Sequence, residues 1–316
     1  MQRQTKVFLI GGSGFIGQNL KIQLLSNNLN LALTYNNSIL NDNKCTVIQK
    51  DLTSDSLYNE FINLNPDIVI HCAGLNPSAL KSQSDQSFYK FNRDVTVNLA
   101  KDFLKYSELN KNQYRKKFLN LSTYEIYGNI KELTGFNESS RTNPLNAYAD
   151  SKAQAVNEIE KLVSNSVDFI NVICTNNYGP GQSSDKLIPI VFNKLLKNQE
   201  IIIKGDGSSK RTWTFVQDTC EGILKILKYG KYKRYHLSAN NQISVIGVIK
   251  AIHEVLKTQN LITTDSARLI WHETNNNPVF KINSSWSEKE LNWTAKTPFS
   301  MGLKHTLEYL KKQRDE

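Results

Sequence analysis

No apolar run in this chain of 316 residues approaches the roughly 20 residues that a membrane-spanning helix requires. Cys-x-x-Cys pairs are missing as well. The cysteines, Cys45, Cys72, Cys174 and Cys220, stand far apart, which excludes a zinc site or a disulfide framework. They read as isolated reduced thiols in a cytoplasmic protein. The first apolar stretch, Val7-Phe8-Leu9-Ile10, runs straight into glycines, so the pattern of a signal peptide is not found. Repeats and low-complexity linkers are absent too. With 39% hydrophobic and 9% aromatic residues, the composition is that of a globular chain able to bury a large core.

Acidic residues are in the minority: 39 Lys and Arg against 29 Asp and Glu leave a formal charge of +10. Such a balance suits an anionic partner. The positive charge is dispersed, apart from the runs Arg115-Lys116-Lys117 and Lys231-Tyr232-Lys233-Arg234. Dispersal argues for a solvated, lysine-rich surface with a positive cleft inside it. Neither a nucleic-acid partner nor membrane insertion is expected.

What is present begins at Gly11-Gly12-Ser13-Gly14-Phe15-Ile16-Gly17. A strand, Val7–Ile10, precedes these glycines, and a helical pattern over Gln18–Ser26 follows, with Leu20, Leu24 and Leu25 on one face. That is the context a dinucleotide fingerprint requires. Gly11 permits the tight turn, Gly14 lets the backbone approach a pyrophosphate, and Gly17 allows close helix–strand packing. The diphosphate then meets free N–H groups at the helix N-terminus.

Further strands are expected at Leu29–Thr34, Cys45–Gln49, Asp67–His71, Lys117–Leu121 and Val167–Thr175. Helices are expected at Leu57–Asn63, capped by Asp55 or Ser56, at Ser87–Tyr106 and at Asn146–Leu162. Alternation of this kind predicts an α/β protein with a Rossmann-type doubly wound parallel sheet. After Asn176 the pattern shortens and Gly179-Pro180-Gly181 breaks it. The division expected is therefore 1–175, a dinucleotide-binding domain carrying the catalytic residues, and 176–316, a smaller α/β domain mainly for substrate, with some segments returning to the sheet.

One element of the fingerprint is missing. The second strand ends Thr34-Tyr35-Asn36-Asn37 without the carboxylate that would hold a ribose 2′-hydroxyl, and without an arginine for a 2′-phosphate. Asn36, Asn37 and Ser38 suit either form, so NAD and NADP both stay open, NAD slightly ahead.

Tyr148 and Lys152 stand four apart on a predicted helix and therefore share a face. A free phenol is a weak base at neutral pH. An adjacent ammonium and a positive nicotinamide ring would favour the phenolate. Thr123, closing the fifth strand, is positioned to bind the same substrate oxygen. A Tyr-x-x-x-Lys alone is close to noise; with the glycines upstream it points to hydride chemistry at a carbinol carbon.

The chain resembles the extended short-chain dehydrogenase/reductase family, the nucleotide-sugar epimerases and dehydratases. The resemblance rests on the glycines, Asp51-Leu52, His71-x-Ala73-Gly74, Asn92, Thr123 before Ile126-Tyr127-Gly128, and Tyr148-x-x-x-Lys152. It continues through Asn176 to Gly181, Lys186 to Pro189, Arg211-x-Trp213-x-Phe215-Val216-x-Asp218 and Leu291-Asn292-Trp293. It implies cofactor contacts at Gly11, Gly14, Phe15, Ile16, Gly17, Tyr35, Asp51, Leu52, Ala73, Gly74, Asn92, Tyr148 and Lys152. It also implies Thr123, Tyr148, Lys152 and Glu125 as catalytic residues, with Thr123, Asn176, Lys186 and Arg211 on a nucleotide-diphosphate sugar. A homodimer through the helices at Ser87–Tyr106 and Asn146–Leu162 is implied too. Trp213, Phe215 and Trp293 read as packing residues.

Glu125 divides the chemistries. The order Thr-x-Glu is similar to the 4,6-dehydratases, where the glutamate removes the C5 proton that a neighbouring ketone acidifies. Tyr124 stands where the dTDP-glucose enzymes of that family place an Asp. Since tyrosine is a poor acid for a leaving hydroxyl, a 4-epimerase is slightly favoured over a 4,6-dehydratase. A 4-keto-sugar reductase using external NADPH is an alternative. A non-catalytic relative that senses dinucleotide or binds RNA is another, disfavoured by the retained Tyr148 and Lys152.

Overall fold

Residues 3–36, 42–77, 84–110, 114–130, 134–263, 267–272 and 279–315 are described by the computed structural model. In chain order the first half runs β1 (Lys6–Ile10), α1 (Phe15–Ser26), β2 (Asn30–Tyr35), β3 (Thr46–Gln49), α2 (Tyr58–Leu64) and β4 (Ile68–His71). It continues with α3 (Asp85–Phe88), α4 (Thr96–Leu109), β5 (Lys116–Thr123), α5 (Ala147–Lys161) and β6 (Val167–Cys174). The second half holds β7 (Asn176–Tyr178), α6 (Leu187–Leu196), β8 (Ile201–Lys204), β9 (Lys210–Arg211), β10 (Trp213–Phe215) and α7 (Val216–Tyr229). Then come β11 (Arg234–Leu237), β12 (Ile243–Ser244), α8 (Val245–Thr258), β13 (Leu269–His272), α9 (Ser285–Leu291) and α10 (Phe299–Asp315).

β1 is apolar on both faces because helices cover both. Val7 and Leu9 pack beneath α1 and α7, while Phe8 and Ile10 pack beneath α2 and α4. The neighbouring strands divide in the same way: Leu119 and Leu121 of β5 join the first cluster and Phe118 the second. The result is a seven-stranded parallel sheet in the order β11-β6-β5-β4-β1-β2-β3. This is the doubly wound fold expected. The order reverses between β1 and β4, opening a crevice beyond the carboxyl ends of the strands, where ligands of such sheets bind. β11, from the second half, closes one edge of the sheet beside β6.

The predicted strands lie within two residues of the observed ones. Two helices differ. α1 starts at Phe15, not Gln18, because Gly14 already serves as its N-cap. The long helix expected at Ser87–Tyr106 is divided: α3 passes into a π-helical turn, Tyr89–Val95, and then into α4. The wider turn directs Asn92 inward, where it is 0% exposed. Of the two caps proposed for α2, Ser56 accepts from Tyr58 N–H at 3.1 Å. Asp55 instead accepts from the N–H of Asp51 at 3.0 Å.

A second core gathers Tyr178, Phe192, Trp213, Phe215 and Ile252 between α6, α8 and α10. Trp213 and Phe215 are buried there and Trp293 in the main core, so all three pack as expected. Among the described residues no helix is long and apolar enough to cross a membrane.

Candidate active site

The crevice at the switch point contains a cavity of about 390 Å³. Its walls include Gly11, Gly14, Phe15 and Ile16 from the first turn, Tyr35 from β2, and Leu52, Ala73 and Gly74 from the ends of neighbouring strands. The glycines are there for separate reasons. Gly11 holds φ +84°, and a Cβ on it would lie 2.6 Å from the Ala73 nitrogen. A Cβ on Gly17 would lie 2.2 Å from the Gly11 oxygen, so α1 sits as close to β1 as glycine permits. Gly14 differs: a Cβ there meets Gly11 O at an ordinary 3.4 Å. The room it leaves is room in the cavity, beside free N–H groups at the start of α1, as a dinucleotide pyrophosphate requires. The residues present fit that group.

Other expected cofactor residues have different surroundings. Asp51 turns its carboxylate to the Thr53 hydroxyl at 2.7 Å and N–H at 2.9 Å, which together hold its pKa below the usual range. Asn92 commits its amide to the chain itself. It accepts from Leu75 N–H at 2.9 Å, donates to Leu75 O at 3.0 Å, and reaches the Ser151 hydroxyl at 3.3 Å. It therefore clamps the loop after β4 to α5, one residue from Lys152. Asn36 lines the cavity; Asn37 and Ser38 fall outside the described residues. Lys50 also lines it, paired with Glu60 at 2.8 Å, and was not among the residues expected.

Lys152 lies behind Gly74, whose added Cβ would stand 2.8 Å from its Nζ. It is 6% exposed, and burial draws its pKa down to about 8. Tyr148 hydrogen-bonds Thr123 and packs its ring edge-on against Phe88, 5.8 Å between centroids. Burial, with Glu125 adding to it, raises the phenol above its ordinary range, and the Thr123 hydrogen bond opposes the rise. The lowering expected from the ammonium is not seen: Lys152 is not among the groups that shift the phenol, and desolvation disfavours the phenolate.

Glu125 is the second residue of the 3₁₀ turn Tyr124–Tyr127 after β5 and is half-buried, not a loop carboxylate in solvent. Burial raises its pKa; the Arg211 charge and a hydrogen bond with Asn146 oppose that. Tyr124 beside it is 1% exposed, and its hydroxyl has no partner among the described residues. Burial raises the Tyr124 pKa as well, with the charge of Arg211 opposing and Glu125 and Tyr148 adding. Tyr124, Glu125, Tyr148 and Arg211 therefore share one electrostatic environment.

Arg211 comes from β9, with its guanidinium 4.9 Å from the Phe280 ring centre and donating to Ser209 Oγ at 2.7 Å. Asn176 opens β7, half-buried, its N–H bonded to Thr212 O at 3.2 Å. Lys186 lies across from the cavity wall, bonded to Asn76 Oδ1 at 2.7 Å and paired with Asp185 at 3.3 Å. Thr123, Glu125, Tyr148 and Arg211 are thus brought together, and Lys186 touches the cofactor side through Asn76. Asn76 and Phe280 had no signal of their own in the sequence. Asn146 alone was open to discovery, as the polar residue preceding a helix; it caps α5 by accepting from Ala149 N–H at 2.8 Å.

Residues 7–238 match the model of the NAD dependent epimerase/dehydratase family. A dTDP-glucose 4,6-dehydratase from Xanthomonas campestris is 27% identical over 95% of this chain and 91% of its own length. The human dTDP-D-glucose 4,6-dehydratase is 28% identical over 96% of this chain and 89% of its own. Among solved structures, a UDP-glucose 4-epimerase with UDP-glucose from Thermotoga maritima superposes with a TM-score of 0.86 at 19% identity, covering 98% of this chain and all of that one. A dTDP-glucose 4,6-dehydratase from Bacillus anthracis in complex with NAD gives 0.83 at 23% identity, covering 98% of each.

Proposed function

We propose that this chain, which belongs to the NAD dependent epimerase/dehydratase family, oxidises C4 of a hexose carried on a nucleoside diphosphate and transforms the resulting 4-keto sugar in the same cleft. Acceptance of the C4 hydride, and its later return to the sugar, would be the chemistry that bound NAD supplies. Gly11, Gly14 and the start of α1 would hold its pyrophosphate, and Lys152 its nicotinamide ribose. Thr123 and Tyr148 bind the sugar O4, and Tyr148 takes its proton. Arg211 and Asn176 hold the diphosphate, the guanidinium offering a planar fork of donors to phosphate oxygens. Arg211→Ala is then expected to weaken binding of a nucleoside diphosphate by on the order of 2 kcal/mol, the range for a charge-assisted contact. Affinity for NAD should barely change; calorimetry with UDP or dTDP against NAD reads both. An equal fall in the two would make Arg211 structural.

The half-buried carboxylate of Glu125, sharing the environment of Tyr148 and Arg211, carries the finer reading: a lyase that removes the C5 proton. A ketone at C4 acidifies that proton, and a carboxylate of raised pKa is a base matched to it. Loss of the C6 hydroxyl then needs an acid. The Tyr124 hydroxyl, raised in pKa by burial, is a weak one. Glu125 itself, holding the proton just taken, would hand it to the leaving hydroxyl, so that water departs; return of the hydride to C6 and uptake of a solvent proton at C5 would then close the balance. The names of the curated relatives agree with this reading.

Tyr124 favours a second reading. Without a stronger acid beside Thr123, the 4-keto sugar would be reduced again on its other face, giving a 4-epimerase. Turnover of dTDP-glucose and UDP-glucose in deuterated water, without added reductant, tests both. Deuterium at C5 is expected of the lyase. Turnover that leaves C5 unlabelled would exclude it, and a strict need for added NADPH would exclude both readings in favour of the reductase.

The homodimer belongs to the same proposal. The groove between α4 and α5, about 520 Å³, is lined by charged and polar side chains, among them Arg93, Asp94, Lys101, Gln154, Asn157 and Glu158, so ion pairs and hydrogen bonds would hold that pairing.

A further inference from the structure

The two basic runs of the sequence meet at one end of the molecule. Arg115-Lys116-Lys117 leads into β5 and Lys231-Tyr232-Lys233-Arg234 into β11, and in the sheet only β6 lies between those strands. The turns before β5, β6 and β11 therefore sit side by side at the amino ends of the strands. Contacts tie them together. Arg115 donates to Ser164 O at 3.0 Å and Asn165 O at 3.2 Å, and Lys117 to Leu227 O at 2.7 Å and Gly230 O at 3.1 Å.

Carboxylates at this end mostly have matched cations: Glu158 with Lys161 at 2.6 Å, Glu160 with Arg234 at 2.8 Å, and Asp168 with Arg115 at 2.7 Å. Glu290, beside Tyr235, offsets part of the remainder. Lys225, Lys228, Lys231 and Lys233 make no ion pair among the described residues, and the last three are exposed. Interleaved with them are apolar side chains in water. Val163 is 82% exposed, Tyr232 49%, Tyr229 44% and Trp286 37%. Lys228 lies 5.0 Å from the Tyr229 ring centre, and Tyr232 and Trp286 meet edge to face at 4.9 Å. On the neighbouring turn, Tyr114 is 75% exposed.

Exposed apolar groups gathered in one place mark a contact surface. Lysines with long apolar stems, alternating with tyrosine and tryptophan, suit a boundary that is anionic on one side and apolar just beneath. A nucleic-acid site would instead rely on arginine in a groove with aromatic faces open for stacking. We propose that this end of the molecule docks on the surface of an anionic lipid bilayer. Lys228, Lys231 and Lys233, the last of which now donates to Glu160 O, meet lipid phosphates, and Tyr229, Tyr232, Trp286 and Val163 enter the headgroup boundary. β6 has eight residues, so the surface lies roughly 25 Å from the catalytic edge, at about 3.3 Å per residue. The cleft thus opens away from the lipid.

The test is flotation with vesicles of phosphatidylcholine, with and without phosphatidylglycerol. The full chain should float with the anionic vesicles, stay behind with the neutral ones, and be released by high salt. The triple variant Lys228→Glu/Lys231→Glu/Lys233→Glu should partition on the order of 100-fold less, at roughly fivefold per lysine. Trp286→Ala should weaken partition severalfold at unchanged salt dependence. C4 chemistry should be unaltered in all of them, which also serves as the check on folding. Native protein that ignores phosphatidylglycerol would overturn the proposal. So would a dimer that the triple variant splits, or tighter binding to single-stranded RNA than to the anionic vesicles.

Discussion

Tyr148→Phe should lower turnover at least ~100-fold, the scale of a lost general base, while leaving NAD affinity near that of the native protein. The change removes one oxygen. The ring keeps its edge contact with Phe88 at 5.8 Å, so α5 has no reason to shift. Thr123 loses its partner but still accepts from Glu125 N–H at 3.3 Å, so the end of β5 stays in place. Steady-state rates and calorimetry on the same preparation separate the effects. A variant that turns over near the native rate would remove Tyr148 from the reaction centre, and one that loses NAD affinity would make the phenol a binding group.

Glu125→Gln should abolish loss of water and let the 4-keto sugar accumulate. Glutamine keeps a hydrogen-bonding group facing Asn146 but cannot take a carbon-bound proton. The C5 label from deuterated water should disappear in this variant while oxidation at C4 survives. Mass spectrometry of the released sugar reads both at once. In a 4-epimerase no base removes a proton from carbon, and the same substitution would change the rate only severalfold. The variant thus separates the two readings even where both consume the same sugar nucleotide.

Much of the sheet was legible because strands buried on both faces are written as unbroken apolar runs. Val7–Ile10 and Ile68–Ile70 are such runs, and the predicted ends are close to those observed. The π-turn was not legible: a single residue's shift in the phase of a long amphipathic helix does not say which residue bulges, and the consequence, Asn92 turned inward, depends on Leu75 and Ser151 being nearby. β9 and β12 have two residues each, too short for any pattern. In the cleft, Thr123, Tyr148 and Lys152 were readable from spacing. What surrounds them was not, since Phe280 reaches Arg211 across a long stretch of chain. The environment of Glu125 is likewise tertiary: nothing in Tyr124-Glu125-Ile126 states that burial, not solvent, sets its proton affinity.

The π-helical turn at Tyr89–Val95 is equivalent to an insertion kept inside a helix. Its ladder closes over one residue more than an α-helix needs, a geometry common at functional sites. Removing any one residue of the segment would heal the ladder and make the helix more regular. It would also rotate everything upstream by about 100° relative to α4, at 3.6 residues per turn. Phe88 would leave the Tyr148 ring, Tyr89 would leave Asp150, to which it now donates at 2.8 Å, and Asn92 would release Leu75. The segment should therefore accept changes of side chain at its outer positions, such as Lys90, far more readily than a change of length. Over this stretch the number of residues, more than their identity, is what the reaction centre inherits.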